Sequence, residues 1–221
     1  IGFTRFVTDG EFESVAVIPQ TGGAPDQVWC VVKRTINGQT KRYVEFFETT
    51  SSEFASRAWT SFQTDSAIVY VSATPTTSVP GLSHLEGCTV DVVADGSYRG
   101  TKVVSMGSIT IDEEYSSFEV GLHYNSRGVT MRPTIPGVVT EGLQRSWNAL
   151  YLRMKDTIGG RLNGRPIQYK PSPLSTLVPF TGDHKVTGGG WDSEGRVTFE
   201  QTEPYPMTVL AIFGTLSVGD H

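Results

Sequence analysis

Cysteine is scarce in this chain, which contains only Cys30 and Cys88. Small domains that depend on disulfides carry more cysteines at short spacings, and no CxxC pair is present to hold zinc. Both cysteines lie in apolar, strand-like runs. We therefore expect two buried free thiols, no disulfide framework, and neither a metal ion nor any other cofactor.

Long hydrophobic runs and an excess of positive charge are also missing. No apolar run approaches the ~18 residues of a membrane-spanning helix, so we expect no membrane segment, and no signal peptide is visible. The formal net charge of −5 repels phosphate and argues against broad nucleic-acid wrapping. One local basic group is more typical of the solvated end of a hairpin than of a DNA track. It comprises Lys33, Arg34, Lys41 and Arg42.

Catalytic motifs are absent as well, since the sequence has no GxSxG, HExxH or phosphate-binding loop. His84 and Glu86 lie two residues apart, and Asp183 and His184 are adjacent. Neither pair has a third ligand at a spacing that would complete a metal site. The acidic run 112–114 holds the carboxylates that glycosidases use, but it is more typical of a solvated turn. We predict no catalytic, cofactor-binding or metal-binding residues and no enzymatic activity.

Glycine and proline, by contrast, are plentiful, with 24 and 12 residues among 221. Short apolar runs between such turn-forming residues are typical of an all-β protein. The strongest local signal is Asn37-Gly38, because a two-residue type I′ turn needs positive φ at both positions. The hairpin is apolar on both faces at its open end, which predicts burial on both sides there. The predicted pairs are Ile36 with Gln39, Val32 with Tyr43, Trp29 with Phe46, and Val28 with Phe47.

Three segments follow from the pattern of strands and loops. In residues 1–48 the pattern predicts a four-stranded antiparallel sheet that resembles one blade of a β-propeller, with its first two strands near 3–7 and 13–18. In residues 49–80 it predicts a connector with a short helix within 49–62, a strand at 67–71 and a loop at 74–80. Residues 81–221 predict a β-barrel-like or sandwich-like domain.

Within that last segment, alternation predicts a series of short strands. The run 146–156 fits a strand or a helix, and the flanking glycines favour the strand. Many prolines and glycines in 160–190 predict long loops. The other predicted strands lie near 88–94, 101–104, 108–111, 117–122, 196–201 and 207–213.

Four segments of the chain also carry a resemblance. They are GLSHLEGCTVDVVADG at 81–96, DQVWCVVKRTINGQTKRYVEFFE at 26–48, GLHYNSR at 121–127, and the long run 180–220. In their order along the chain they resemble the C-terminal region of the tail nozzle, or tail tubular protein B, of short-tailed bacteriophages. The sequence begins in mid-pattern at Ile1, so we expect it to belong to a longer protein.

The resemblance implies a non-enzymatic structural protein of the virion, from a phage or a prophage in a bacterial host. In that family several copies form a ring around the channel through which DNA is ejected. The implied partners are other copies of the chain, neighbouring tail proteins, and DNA that passes without specific binding. The family also has a β-propeller, of which residues 1–48 would be the last blade.

A second hypothesis comes from the aromatic residues in the predicted loops. Trp59, Trp191 and Tyr205 would offer stacking platforms for sugars, because each has a flat apolar ring with a polar tip. On this hypothesis the chain is a carbohydrate-binding or adhesin-like β module of a phage tail.

Overall fold

The computed structural model describes residues 5–20, 25–48, 59–135, 137, 141–167, 177–187 and 190–219. Over these ranges the chain is all-β: its strands form four antiparallel sheets, and none closes into a barrel. The chain divides into two compact units, Ile1–Tyr124 and Asn125–His221. The all-β prediction is confirmed, whereas the barrel form of it is wrong. Among the described residues no helix is long and apolar enough to cross a membrane.

The first sheet has three strands in the order β1-β2-β3. They are β1 Glu11–Ile18, β2 Gln27–Ile36 and β3 Gln39–Phe46. The blade-like prediction required a fourth strand near 3–7. Residues 5–7 form no strand, and residues 1–4 lie outside the described ranges. The described sheet is therefore three-stranded.

The β2–β3 hairpin forms as predicted. Asn37 and Gly38 have φ of 50° and 73°, so both occupy the left-handed region that the two-residue turn requires. The register pairs Ile36 with Gln39, Val32 with Tyr43, and Trp29 with Phe46. Beyond the last strand pair, the amide of Phe47 donates to the carbonyl of Val28 at 2.9 Å.

The second sheet has the order β4-β7-β5-β6. Its strands are β4 Asp65–Val79, β5 Thr89–Ala94, β6 Ser97–Val103 and β7 Ile109–Leu122. The predicted loop at 74–80 is wrong, because β4 continues to Val79 after its pairing with β7 is interrupted between Val71 and Thr76. The predicted strands 108–111 and 117–122 are one continuous strand. Of the helix predicted in 49–62, residues 49–58 lie outside the described ranges, and 59–62 are not helical.

The first two sheets share one hydrophobic core. Leu82 precedes the one-turn 3-10 helix Ser83–Leu85, and Leu85 is its last residue. Both leucines are fully buried in this core together with Phe118 of β7. Ile36 of the first sheet belongs to the same core, and Tyr43 packs against it. The division between compact units after Tyr124 therefore differs from the boundaries predicted at 48 and 80.

The second unit contains two further sheets, with the orders β12-β9-β14 (the third sheet) and β11-β10-β13-β8 (the fourth). Leu152 of the third sheet and Leu162 of the fourth are both fully buried in one core, as in a sandwich. The region 160–190 holds three strands where loops were predicted, and its residues 168–176 and 188–189 lie outside the described ranges. The strands are β8 Ser126–Val129, β9 Gln144–Thr157, β10 Arg161–Leu162, β11 Arg165–Pro166, β12 Phe180–Thr187, β13 Thr198–Gln201 and β14 Thr208–Gly219.

Candidate functional site

The turn end of the first sheet is anchored to the second sheet by a buried arginine. Arg34 is 2% exposed and points to the same face as Val32 and Ile36, because side chains two apart in a strand share a face. Its guanidinium donates to the Glu45 carboxylate at 3.0 and 2.7 Å and to the Asp65 carboxylate at 3.2 Å through two nitrogens. Asp65 begins β4, so this network joins the two sheets.

The opposite end of the first sheet carries apolar side chains that are open to solvent. Val44 on β3 is 70% exposed and Val15 on β1 is 67% exposed. Phe47 contacts Phe6 and Phe12 at ring-centroid distances of 5.1 and 6.2 Å, so the aromatic rings form one cluster. We call this set the apolar surface of the first sheet. Its residues lie on both faces of the sheet. Phe12, Val15, Val17 and Phe47 share the face of Val32, with Phe6 packed on Phe47, whereas Ile18, Val44 and Phe46 share the face of Trp29.

This surface corrects one prediction. Both faces of the hairpin are apolar at the open end, as the sequence indicates, but they are not buried there. Every residue of β1 is exposed, including Val15 and Val17 on the face of Val32. On the face of Trp29, Val44 is exposed, and Trp29 stacks on Phe46 at a ring-centroid distance of 4.8 Å. Exposed apolar side chains grouped in this way on the faces of one sheet are typical of sites of protein–protein interaction.

Charged residues lie beside the apolar surface and pair with one another across the strands. Lys33 contacts Glu11 at 2.6 Å, and Arg42 binds Glu13 through two hydrogen bonds at 2.7 and 3.0 Å. The hydrogen bond from Arg42 lowers the pKa of Glu13 below its ordinary value. With Arg34 buried and Lys33 and Arg42 paired, the basic group is not a set of four solvated cations.

The GLSHLEG segment has a structural role. His84 Nε2 lies 3.1 Å from the carbonyl of Ser66, and the Glu86 carboxylate accepts hydrogen bonds from the amides of Met106 and Gly107 at 3.0 and 2.7 Å. Gly107 has φ of 68°, so this carboxylate holds the tight turn before β7. His84 and Glu86 therefore hold backbone segments in place.

The second candidate pair lies on β12 in the third sheet. Arg153 on β9 donates to the Asp183 carboxylate at 2.7 and 2.9 Å, and this hydrogen bond lowers the pKa of Asp183. Across the described ranges no group of three histidine, cysteine or carboxylate side chains is placed to hold a metal ion.

The acidic run 112–114 lies in the middle of β7 and not in a turn, so that prediction is wrong in location. Its three side chains are exposed, as expected for a solvated segment. Asp112 contacts Lys102 at 3.2 Å, and Glu113 accepts a hydrogen bond from Tyr115. These carboxylates serve neighbouring side chains of the same sheet.

The structure separates the three aromatic candidates. Trp59 and Tyr205 are buried, at 6% and 9% exposure, and neither offers a ring face to a ligand. Trp191 is 41% exposed and lines a cleft of 320 Å³. Of the sugar-stacking candidates, Trp191 alone keeps that capacity.

Both cysteines are free thiols, as predicted. Cys30 is buried, whereas Cys88 is half-buried. Removal of each thiol from water raises its pKa above the ordinary value, because the thiolate loses solvation.

Two buried carboxylates escaped the sequence reasoning. Asp91 is 1% exposed and binds the Tyr98 hydroxyl at 2.8 Å and His123 Nδ1 at 2.7 Å. Glu119 accepts hydrogen bonds from the Gln63 amide and the Thr64 hydroxyl at 2.6 and 2.9 Å. The available signal was an acidic residue inside an apolar strand, as in Val90-Asp91-Val92, because such a residue needs a hydrogen-bonding partner.

No protein-family model matches the chain, and a search of curated proteins finds no match. Function is therefore inferred from the resemblance carried by the sequence motifs and from the geometry of the described residues.

Proposed function

We propose that this chain is a non-enzymatic structural protein of a bacteriophage tail that acts by assembling with other copies of itself. The observation that carries the proposal is the apolar surface of the first sheet. Isolated exposed apolar residues are ordinary, but here they include neighbouring aromatic and β-branched side chains on one sheet. Covering them against a second chain removes apolar area from water, which favours association.

A ring built from identical copies requires two different surfaces that meet head to tail. The apolar surface supplies one of them, and the paired charges Lys33–Glu11 and Arg42–Glu13 lie beside it as a polar rim. An apolar centre with a polar rim is the usual anatomy of a protein–protein interface. Neighbouring tail proteins are the other proposed partners.

DNA would pass through the assembled ring without specific binding. The net charge of −5 supports this proposal, because a strongly basic lumen would hold the phosphate backbone and slow its exit. The pairing of Arg34, Lys33 and Arg42 with carboxylates adds to it, since those cations are already neutralised locally.

The assembly test uses analytical ultracentrifugation of the chain over a range of concentrations. We expect reversible self-association that is weakened in the double variant Val15→Lys, Val44→Lys. Val103→Lys is the matched control, because Val103 is an exposed valine on β6 of the other sheet. A monomer at every concentration, or equal weakening by the control, would contradict assembly through this surface.

The location of the protein needs a separate measurement. Antibodies raised against the chain should label the tails of purified particles of the phage whose genome encodes it, as seen by immunogold electron microscopy. Particles without label, while the same antibodies detect the protein in infected or induced cells, would remove the virion proposal.

A further inference from the structure

A cleft of 320 Å³ opens beside Trp191 in the second unit. Small-molecule sites have volumes of roughly 300 to 1,000 Å³, so this cleft has room for one or two rings and not for a long ligand. Its walls come from three different stretches of the chain. They include Arg145, Trp147, Asn163, Trp191, Asp192 and Arg196.

The floor of the cleft is held by a buried cation. The Arg145 guanidinium donates to the carbonyls of Leu143 at 2.9 Å and Ser193 at 2.7 Å, and Arg145 is 1% exposed. Beside it, the indole nitrogen of Trp147 donates to the carbonyl of Gly195 at 2.9 Å. These bonds fix the loop 191–196 before any ligand arrives, which reduces the entropy cost of binding.

Trp191 provides an exposed aromatic platform in the wall of the cleft. A Cβ built on Gly219 would lie 3.6 Å from Trp191 Cη2, so the ring packs at the end of β14. The next residue, Asp192, exchanges backbone hydrogen bonds of 2.9 and 2.8 Å with Arg145. The ring is therefore exposed and yet attached to a fixed backbone.

Two polar side chains of the wall are oriented by hydrogen bonds that, among the described residues, use one of their two polar atoms. Asn163 lines the cleft, and its Oδ1 accepts from the amide of Thr198 at 2.8 Å, which leaves the Nδ2 group as a donor. Asp192 Oδ2 accepts from the amide of Gly195 at 2.9 Å, which leaves Oδ1 as an acceptor. A ligand that both donates and accepts matches this pair.

The charges around the cleft balance. Arg145 and Arg196 supply two positive charges, while Asp192 and Glu194 supply two negative charges. Arg196 contacts Glu194 at 3.0 Å. A ligand of strong charge would gain little here.

From these features we infer that the cleft binds one neutral sugar unit. A pyranose ring has an apolar C–H face that stacks on an indole and hydroxyl groups that both donate and accept. Trp191 would take the C–H face, and Asn163 and Asp192 would take hydroxyls. This site goes beyond the assembly role and does not depend on it.

The test is an NMR titration of the whole chain with methyl α-glucoside, methyl β-galactoside and N-acetylglucosamine in turn. Each is raised to about 50 mM, because a single sugar unit in a shallow cleft is expected to bind with a Kd near the millimolar range. We expect saturable shifts of the Trp191 and Trp147 indole signals with at least one of the three. Absence of shifts with all three would overturn the inference.

Two variants locate the binding. Trp191→Ala removes the platform and is expected to weaken binding by roughly tenfold or more. Phe213→Ala is its matched control, because Phe213 is a half-exposed aromatic on β14 that stacks on Tyr151 and does not line the cleft. Unchanged binding in Trp191→Ala, or an equal loss in Phe213→Ala, would overturn the assignment.

A conservative variant covers the case in which Trp191→Ala fails to fold. Asn163→Asp keeps the oxygen that accepts from Thr198 and removes the Nδ2 donor, and it should also weaken sugar binding. Adenosine serves as the competing ligand class, since a nucleobase also stacks on tryptophan. Tighter binding of adenosine than of every sugar tested would overturn the choice of ligand, and binding that Asn163→Asp leaves unchanged would overturn the cleft.

Discussion

The two ends of the first sheet are built from the same strands and end in opposite environments. At the turn end, Val32, Arg34 and Ile36 are buried on one face of β2. At the open end, Val15 and Val44 are exposed although both are apolar. The difference teaches that alternation in a strand assigns side chains to a face, whereas burial depends on whether a second layer covers that face.

The second layer exists at the turn end because the second sheet reaches it. Ile36 joins the core of that sheet, and Asp65 at the start of β4 meets Arg34. Among the described residues no comparable layer covers the open end, and the apolar side chains there face solvent. On the proposal above, another copy of the chain supplies that layer.

The largest expected effect is at the buried arginine. Arg34→Leu leaves the Glu45 and Asp65 carboxylates, which are mostly buried, without their cation. Breaking a buried ion pair in this way costs about 3–5 kcal/mol of unfolding free energy. Urea unfolding of the variant measures it. Arg42→Leu removes an exposed pair from the same sheet and should change stability little, so equal losses in both variants would contradict the comparison.

The hydrophobic core gives the next largest effect. Leu85→Ala creates a cavity where the side chain is fully buried, and such truncations cost about 2–5 kcal/mol. Val44→Ala at the open end should change stability by less than about 0.5 kcal/mol, because the side chain is already in water. Thermal melting of both variants tests this. A large loss in Val44→Ala at low protein concentration would show that the surface is covered within one chain.

The turn comes third. Gly38 has φ of 73°, a region that β-branched residues strongly disfavour, so Gly38→Val should cost about 1–3 kcal/mol. The space around a Cβ at this position is open, so the loss would come from backbone strain alone. Gly38→Asn is the matched control, because asparagine tolerates a positive φ. An unchanged melting temperature in Gly38→Val would contradict the role of the turn.

The sequence predicted the hairpin best because one local feature determines it. A two-residue turn fixes the register of every pair beyond it. The position of Asn37-Gly38 alone therefore predicted that Trp29 pairs with Phe46, the eighth pair from the turn. The strand at 146–156, which becomes part of β9, was also predicted correctly, because the flanking glycines favoured it over the helix that the run fits equally well. Both successes rest on local patterns.

The failures have non-local causes. β7 continues through 112–114 because Ile111 before this run and Phe118 after it are buried in the core while the three carboxylates are exposed, and β4 includes Pro75 where its ladder with β7 is interrupted. Arg34 lies in a sequence of cations that suggests solvent, yet its partner Asp65 is 31 residues away. Burial that depends on such a distant partner has no signature in the surrounding residues.

For the apolar surface of the first sheet, the sequence predicted the apolar character of the open end but not its exposure, again because the cause is non-local. Of this surface, the hairpin residues Phe46 and Phe47 were identified from alternation, and their pairing with Trp29 and Val28 was correct. Their exposure was not predicted, because no pattern within 27–47 states what packs on it. For the aromatic candidates, the residue type was informative for Trp191 but not for Trp59 or Tyr205, which the fold buries.

The smallest expected effect concerns the charged rim of the first sheet. The hydrogen bond from Arg42 lowers the pKa of Glu13 in the folded chain, so the pair contributes stability above the unfolded pKa of Glu13 and loses it as the pH falls through the folded value. In Arg42→Gln the pKa of Glu13 should rise toward its ordinary value, as followed by NMR of the carboxylate against pH. Since both groups are at the surface, added salt should reduce the difference between the variant and the parent chain. Lys102→Gln, which removes an exposed partner of Asp112 on the other sheet, is the control and should leave Glu13 unaffected. A Glu13 pKa that is the same with and without Arg42 would mean that the rim pair does not persist in solution, and the open end would then lack the polar border that an interface requires.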